Sequence, residues 1–257
     1  MKTIYCTRKN KKYFEDYLNS LKNFFTIIYY TDFDVNILVD NKDKQESYFI
    51  KEIPKCVEKS NCKYYFINTE QLTRETYRNR VKRTSRKIKT FDYSEENCSI
   101  NNLLTHLPYQ VNFNEIFDYE KTFNICHVGA SSKRRKNIID QLYKNKIKVK
   151  NINGWGEKRD ELLFRHKILI NIHCEDNYNI NEQIRINRCI FNKMIVISES
   201  GYDDDKLYLK DRMILCPYDE LVNTTKTVLE NYLYFYEKLF SDFDLNEIDE
   251  YYKKLTF

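Results

Sequence analysis

Residues 123–142, FNICHVGASSKRRKNIIDQL, determine how the second half of the chain folds. The apolar run that ends at Val128 is typical of a buried strand, and the apolar spacing after Ser132 is typical of a helix. Between them lies Gly129, the first of only four glycines in 257 residues. A strand, a glycine turn and a helix in this order begin a βα unit, and the helix directs its free N–H groups beyond the end of the strand.

The first turn of this predicted helix carries three consecutive cations at residues 133–135, KRR. Positive charge at a helix N-terminus opposes the helix dipole and costs roughly 0.3–1 kcal/mol per residue, whereas a bound anion reverses the sign. The small residues after Gly129 let a ligand approach the backbone, and Ser131 or Ser132 can cap the helix. The stretch therefore predicts a phosphate site, with a glycine turn beside a solvated basic face as the alternative. It contains neither GxGxxG nor GxxxxGK[ST].

Strand and helix patterns alternate along the whole chain. In the first half, the predicted strands are residues 2–7, 26–31, 35–40, 63–70 and 88–94, and the predicted helices are residues 12–24, 45–60, 73–87 and 95–104. In the second half, the predicted strands are residues 123–129, 147–154, 167–173, 193–200 and 212–218, and the predicted helices are residues 132–145, 157–166, 181–192 and one long helix from Asp219 through Phe240.

Repeated βα units predict parallel sheets with helices on both faces. Neither periodicity holds over residues 108–122, which indicates a seam between two domains. The fold class is therefore α/β with two Rossmann-like domains. We predict a reduced N-terminal domain over residues 1–110, and a C-terminal domain over residues 111–257 that ends in helices.

Composition limits the functional classes only weakly. The formal net charge of +5 arises from a Lys- and Asn-rich sequence, so it is weak support for a polyanionic partner. The eight cysteines contain no CxxC pair and no clustered ligand set, which is typical of reduced thiols in a cytoplasmic protein without a metal. No stretch reaches the roughly 18 apolar residues of a membrane span, and the N-terminus lacks the apolar core of a signal peptide.

The sequence from about His106 to Tyr236 resembles the C-terminal domain of GT-B-type glycosyltransferases, and most of all the branch with spore-maturation glycosyltransferase-like domains. The shared features are the HVGASSKRR start, the KILINIH strand, the EQIR helix start and the VISE strand. Weaker similarities lie in NTEQL (68–72) and DYSEEN (92–97). The resemblance implies two Rossmann-like domains facing a cleft. It also implies metal-independent transfer of a sugar from a nucleotide sugar, held mostly by the second domain, to a glycan, lipid or protein acceptor.

Enzymes that release a nucleoside diphosphate without a metal need cations and helix ends to stabilise the departing charge. Arg134, Arg135 and Arg185 are the predicted diphosphate contacts, because an arginine fork fits two phosphate oxygens. For Arg185, an ion pair with Glu182 one turn away is a second interpretation. The other predicted donor-binding residues are Gly129, Ser131, Trp155, Asn171, Ser198 and Glu199. Trp155 either stacks on a base or packs onto its own domain.

The resemblance and the strand ends also indicate catalytic residues. His173 ends a predicted strand on the same side as Asn171, and Glu182 matches the acidic residue of the Glu-x-x-Arg helix start, where it would bind hydroxyl groups of the donor. In the first half, Glu70, Asp92 and His106 each follow or precede a strand and are candidates for the base that takes the proton of the acceptor. Asp92 is equally well explained as a helix cap.

Two features depart from the retaining GT-B pattern. That pattern contains two glutamates at a fixed spacing, and the spacing of Glu175 and Glu182 is one residue too short. The first half also has no glycine for a loop over the donor. The stereochemistry of transfer therefore stays open. An inactive homologue that binds nucleotide sugars or nucleic acid remains the alternative function.

A basic stripe is predicted on the helix over residues 73–87. Its members recur at every fourth position and so share one face of the helix: Arg74, Arg78, Lys82 and Arg86. Such a stripe is compatible with an anionic membrane or another polyanion, and a solvated helix face explains it equally simply.

Overall fold

A computed structural model describes residues 2–31, 46–51, 53–54 and 64–256 of the chain. The chain divides into two compact units, Met1–Gln110 with Tyr251–Phe257 and Val111–Glu250. The predicted C-terminal domain included residues 251–257, whereas the structure groups them with the first unit.

The first unit is an α/β domain with a parallel sheet. Its strands are β1 (Lys2–Thr7), β2 (Thr26–Tyr30), β3 (Glu46–Ile50), β4 (Tyr64–Asn68), β5 (Thr90–Asp92) and β6 (Leu104–His106). Its helices among the described residues are α1 (Lys11–Ser20), α2 (Glu75–Ser85) and α3 (Glu95–Ile100). The strand order is β2-β1-β3-β4-β5-β6, with every pair parallel. The domain predicted to be reduced thus has a sheet of six strands in the described part of the chain.

The helix predicted over residues 45–60 is wrong where the structure describes it, because Glu46–Ile50 forms strand β3. This strand lies between β1 and β4 and buries Tyr48, Phe49 and Ile50. Its pairing with two neighbours outweighs the local helical spacing, as is usual for short apolar segments. The strand predicted over residues 35–40 lies outside the described residues.

The second unit contains a second parallel sheet. Its strands are β7 (Phe123–Val128), β8 (Val149–Ile152), β9 (His166–Asn171), β10 (Ile195–Glu199) and β11 (Ile214–Cys216). Its helices are α4 (Lys133–Lys144), α5 (Glu157–Leu163), α6 (Gln183–Phe191), α7 (Leu221–Glu230) and α8 (Tyr232–Phe240). The last helix, α9 (Leu245–Thr256), begins in the second unit and ends in the first. The strand order is β11-β10-β9-β7-β8. These strands match the predicted ones closely.

The single long helix predicted from Asp219 to Phe240 is wrong. A short 3-10 turn at Tyr218–Glu220 precedes α7, and Asn231 separates α7 from α8 with non-helical angles (φ −119°, ψ 36°). The apolar pattern continues across the break, so the asparagine itself is the only local signal for it.

The predicted seam packs onto the second unit through side chains of α6. Arg188 Nε donates to Glu115 Oε2 at 2.9 Å, and the same guanidinium donates to both carboxylate oxygens of Asp160. Asn192 accepts a hydrogen bond from the backbone N–H of Phe117 at 2.7 Å and donates to the carbonyl of Glu115. These polar contacts fix a stretch that has no periodic pattern of its own.

The strand order of the second sheet creates a switch point between β7 and β9. From β7 the chain crosses to β8 on one side, and all later strands lie on the other side. In open parallel sheets, ligands bind beyond the carboxyl ends of the strands at such a point. The apolar residues at the centre of these strands and of β10 are buried, including Ile125, Ile168 and Ile197, as expected for a sheet covered on both faces.

The six cysteines in the described residues are free thiols. Burial raises the pKa of the thiols of Cys6 and Cys189 to about 12, which keeps them protonated and unreactive at neutral pH. Among the described helices, none combines the length and the hydropathy needed to cross a bilayer.

We expect Ile168→Ala to lower the free energy of unfolding by ~2–5 kcal/mol, because it leaves a cavity in the fully buried central strand β9. Urea denaturation followed by circular dichroism measures the loss. Lys144→Ala, at an exposed position of α4, is the matched control and should change stability by less than ~0.5 kcal/mol. An equal effect of both substitutions would contradict the described core.

Candidate functional site

Gly129 lies directly after β7, at the switch point of the second sheet. Its φ of +142° is a conformation that residues with a side chain rarely adopt. A Cβ placed there would lie 2.8 Å from Arg135 Nη1 and 3.4 Å from Arg185 Nη2. The glycine thus lets two guanidinium groups approach the backbone of the turn, and the approach of a ligand to this backbone stays a prediction.

Arg135 joins the two loops that leave β7 and β9. Its Nη1 donates to the carbonyl of Ala130 at 2.8 Å, and its Nε donates to the carbonyl of Ile172 at 2.8 Å. The side chain is only 4% exposed. Burial, together with the charge of Arg185, lowers its pKa below the ordinary arginine value. With its donors directed at the backbone, Arg135 holds the loops around the site.

Arg185 and Glu182 form an ion pair at the start of α6. The pair was one of the two interpretations of Arg185 in the sequence, and the structure contains it. Glu182 Oε1 also lies 3.7 Å from Arg135 Nη2. Burial by itself would raise the pKa of Glu182, but the charges of Arg185 and Arg135 outweigh it and hold the pKa below its usual value. Glu182 is therefore an ionised acceptor of hydrogen bonds rather than a proton donor.

Arg185 is oriented by a chain of buried amide and hydroxyl groups. Its Nη1 donates to Asn171 Oδ1 at 3.0 Å, and Asn171 Nδ2 donates to Ser198 Oγ at 2.9 Å. Ser198 is fully buried and lies 3.1 Å from Asn181 Oδ1. The predicted donor-binding residues Asn171 and Ser198 are thus brought to the site, where in this structure they support the guanidinium of Arg185.

Arg134 is saturated by carboxylates. Its Nη1 and Nη2 donate to the two oxygens of Glu199, and its Nε donates to Asp176 Oδ1 at 2.6 Å. Its guanidinium carbon lies 3.8 Å from the ring centre of Tyr218, a cation–π contact. Burial by itself would lower the pKa of Arg134, but the two carboxylates outweigh it and raise the pKa above the ordinary arginine value. Arg134 and Glu199, each predicted to bind the donor, therefore pair with each other in this structure.

His173 lies two residues beyond β9 and contacts the same carboxylate. Its backbone N–H donates to Glu199 Oε2 at 3.0 Å, and its Nε2 lies 3.3 Å from the carbonyl of Ser200. The ring is buried. His173 thus belongs to a polar cluster at the carboxyl edge of the second sheet, although its catalytic role stays a prediction. The other members of the cluster are Arg134, Arg135, Asn171, Glu182, Arg185, Ser198 and Glu199.

The remaining predicted donor-binding residues lie at the edges of this arrangement. Ser132 rather than Ser131 caps α4, since its hydroxyl accepts from the backbone N–H of Arg135 at 3.2 Å. Ser131 is exposed in the turn. Trp155 is 47% exposed in the loop between β8 and α5, and its contact with a base stays a prediction.

In the first unit, Asp92 ends β5 and is fully buried. It accepts hydrogen bonds from Asn68 Nδ2 at 2.6 Å, from Asn97 Nδ2 at 3.0 Å and from the backbone N–H of Ser94 at 2.9 Å. The helix cap of α3 is Ser94, so the interpretation of Asp92 as a cap is wrong. Burial raises the pKa of Asp92 to about 7, although these hydrogen bonds lower it.

Glu70 and His106 lie at the same edge of the first sheet. Glu70 forms an ion pair with Lys51, and His106 is the register partner of Asp92 in β6. His106 Nε2 lies 3.1 Å from the carbonyl of Tyr93. Burial lowers the pKa of His106 below its ordinary value, so the ring is neutral. Which of the three side chains takes a proton stays a prediction.

The predicted basic stripe lies along α2. Arg78, Lys82 and Arg86 are exposed, and Arg74 lies over the ring of Tyr77 at 4.8 Å. The exposure leaves the solvated face and the polyanion contact equally compatible with the structure.

Two residues near these arginines were not singled out as site residues in the sequence, His127 and Asp176. His127 bonds to the carbonyl of Ile170, and Asp176 accepts a hydrogen bond from Arg134 Nε. The only sequence signal for His127 was a polar residue inside an apolar strand two positions before Gly129. Within the described ranges, no group of three or more His, Cys, Asp or Glu side chains has the geometry of a metal site.

Comparison with known proteins gives two relatives that cover most of the chain. The uncharacterized protein L140 of Acanthamoeba polyphaga mimivirus is 35% identical over 239 residues, which are 88% of this chain and 79% of that protein. The uncharacterized protein R358 of the same virus is 33% identical over 200 residues, 73% and 70% of the two chains. This chain belongs to their family. No family model matches it.

Solved structures with the same fold are glycosyltransferases. Anabaena HepE, solved with UDP and glucose, covers 98% of both chains with a TM-score of 0.64 and 9% identity. AviGT4, an enzyme of avilamycin A biosynthesis, has a TM-score of 0.55 at 7% identity and covers 100% of this chain and 97% of its own. An α1,3-fucosyltransferase has a TM-score of 0.53 at 12% identity, with coverage of 99% and 89%. The predicted GT-B-type fold is confirmed.

We expect Glu199→Gln to lower the free energy of unfolding by ~1–3 kcal/mol, because it removes the buried charge that compensates Arg134. Asp176→Asn is the matched control on the same guanidinium. Since Asp176 is 94% exposed, its loss should cost less than ~0.5 kcal/mol. Urea titration of both variants makes the comparison, and an equal loss would contradict the described burial of the pair.

The stability of the protein should depend on pH through Asp92. Its folded pKa of about 7 lies above its unfolded value, so the folded state binds the proton more tightly and this contribution is lost as the pH rises toward 7. Relative to Asp92→Asn, which mimics the protonated form, the wild-type protein should lose on the order of 2 kcal/mol between pH 5 and pH 8. Chemical denaturation at both pH values measures this difference. Parallel pH profiles of the two proteins would disprove the raised pKa.

Proposed function

We propose that this protein is a glycosyltransferase that binds a nucleotide sugar at the carboxyl edge of its second sheet and transfers the sugar to an acceptor. The observation that carries the proposal is the convergence of two helix N-termini and the guanidinium groups of Arg135 and Arg185 on the turn at Gly129. Such a site offers backbone N–H groups and fixed positive charge to a diphosphate.

The three arginines would divide the work. Arg135 and Arg134 are held by carbonyl and carboxylate groups, so they shape the turn and supply positive potential. Arg185, with 18% of its side chain exposed, would contact the phosphate directly. The departing diphosphate gains negative charge as the glycosidic bond breaks, and donors that are already in place stabilise that charge without reorganisation.

Glu182 and His173 would act on the sugar side of the diphosphate. The ionised carboxylate of Glu182, 30% exposed, can accept hydrogen bonds from sugar hydroxyl groups. An oxocarbenium-like transition state at the anomeric carbon would also be stabilised by nearby negative charge. No metal is required by this scheme, because arginines supply the positive charge.

The solved structures support a nucleotide sugar as the donor. HepE has been solved with UDP and with UDP-glucose, and its structure with UDP-glucose has a TM-score of 0.61 to this chain. Identities of 7–12% show a shared fold, and the base and the sugar of the donor are left to experiment. A titration panel of UDP, GDP, dTDP and their sugar conjugates addresses both.

Arg185→Ala should weaken binding of the preferred nucleoside diphosphate by about 10- to 100-fold, since a charge-assisted hydrogen bond contributes ~1.5–3 kcal/mol. Isothermal titration calorimetry measures the change. Lys133→Ala removes an exposed cation from the start of α4, the other helix that begins at this site, and is the matched control, with an expected change under about 3-fold.

The wild-type protein should also release free nucleotide from its nucleotide sugar, which chromatography detects. Binding without release over a panel of acceptors would favour the non-catalytic alternative. Equal losses for Arg185→Ala and Lys133→Ala would reject the site.

A further inference from the structure

His127 is a buried polar residue inside the apolar strand β7. Its ring is 3% exposed, and its Nδ1 lies 3.0 Å from the carbonyl oxygen of Ile170 on the adjacent strand β9. A carbonyl oxygen only accepts hydrogen bonds, so Nδ1 carries the hydrogen and Nε2 presents a lone pair. Nε2 has no hydrogen-bond partner among the described residues. A buried acceptor without a donor costs roughly 1–3 kcal/mol, so its retention requires an explanation.

The ring of His127 borders the candidate site. It bonds to the carbonyl of Ile170 in β9, and the guanidinium of Arg135 bonds to the carbonyl of Ile172, two residues further along the chain. The guanidinium groups of Arg135 and Arg185 border Gly129. Burial and these two cations lower the pKa of His127 to about 4, although the bond to Ile170 and the charge of Glu182 oppose the shift. At neutral pH the ring is therefore uncharged and Nε2 is an acceptor only.

The chemistry of this nitrogen restricts what binds it. An ionised phosphate oxygen has no hydrogen to donate, so the diphosphate itself does not satisfy Nε2. A hydroxyl group does. The neighbouring carboxylate of Glu182 also accepts hydrogen bonds and is likewise suited to a hydroxyl group, whereas Arg185 is a donor suited to phosphate. Donors and acceptors thus lie side by side, which matches a ligand with a phosphate and a hydroxyl group in close succession.

We propose that His127 Nε2 accepts a hydrogen bond from a hydroxyl group of the transferred sugar, and that it is a specificity-determining residue for the sugar rather than for the nucleotide. This inference rests on the proposed function and adds to it a residue that recognises the sugar. The side chains of Arg185 and Glu182, whose charges act on the ring, are 18% and 30% exposed, so a ligand that contacts them lies beside His127.

The test uses two substitutions that separate the two ring nitrogens. His127→Asn keeps a donor at the position of Nδ1 for the carbonyl of Ile170 and removes the acceptor at Nε2. His127→Gln extends an amide oxygen to the position of Nε2 and restores an acceptor. Calorimetric titrations of the full chain use UDP and UDP-glucose first, and then GDP and dTDP with their sugar conjugates. Thermal unfolding confirms that each variant is folded.

We expect His127→Asn to weaken binding of the nucleotide sugar by about 5-fold and to change the affinity for the nucleoside diphosphate alone by less than about 2-fold. His127→Gln should recover most of the affinity for the nucleotide sugar. Equal weakening of both ligands by His127→Asn would overturn the inference and make His127 a support of the phosphate site. Unchanged affinities in all variants would overturn it as well and indicate that water alone occupies Nε2.

These outcomes differ from a failure of the proposed function. If the wild-type protein binds none of the nucleoside diphosphates or their sugars, the glycosyltransferase proposal fails first and the inference with it. If the diphosphate binds and only the dependence on His127 is absent, the proposed function stands and the sugar-reading role of His127 is rejected.

Discussion

The guanidinium of Arg135 is the contact on which the candidate site depends. It donates to carbonyl oxygens on two loops that are far apart in the chain, one after β7 and one after β9. Both loops begin at the switch point, where adjacent strands lead away in opposite directions and leave a gap in the helical layer. Closing that gap with a charged side chain, rather than with apolar packing, keeps a polar surface at the place where a ligand would bind.

A buried cation needs a nearby negative charge or hydrogen-bond acceptor, and the cluster provides such a partner for each of its arginines. Arg134 faces Glu199, Arg185 faces Glu182, and Arg135 lies between carbonyl groups with Glu182 nearby. Removing such charges from water is expensive unless the partners are well placed. The cluster therefore has its donor and acceptor groups in position before a ligand arrives. A ligand would exchange with contacts that already exist, so little ordering would remain to be done on binding.

The sequence predicted the second sheet well, because strands with buried apolar cores have long apolar runs. It also predicted the turn at Gly129 between β7 and α4. It failed at β3, where pairing with two neighbouring strands outweighed a local helical pattern. The predicted roles of Arg134 and Glu199 rested on strand and helix ends. Their mutual pairing depends on two elements about 65 residues apart in the chain, and no local pattern encodes it. His127 was missed for the same reason, since its free nitrogen is a property of what surrounds the ring.

The conformation at Gly129 has a consequence for reading related sequences. Any side chain at this position would strike the guanidinium of Arg135 and lie within 3.4 Å of Arg185. A family member that replaces this glycine must therefore strain the backbone of the turn and move the end of the Arg135 side chain. A single alignment column thus marks the members in which this turn has changed.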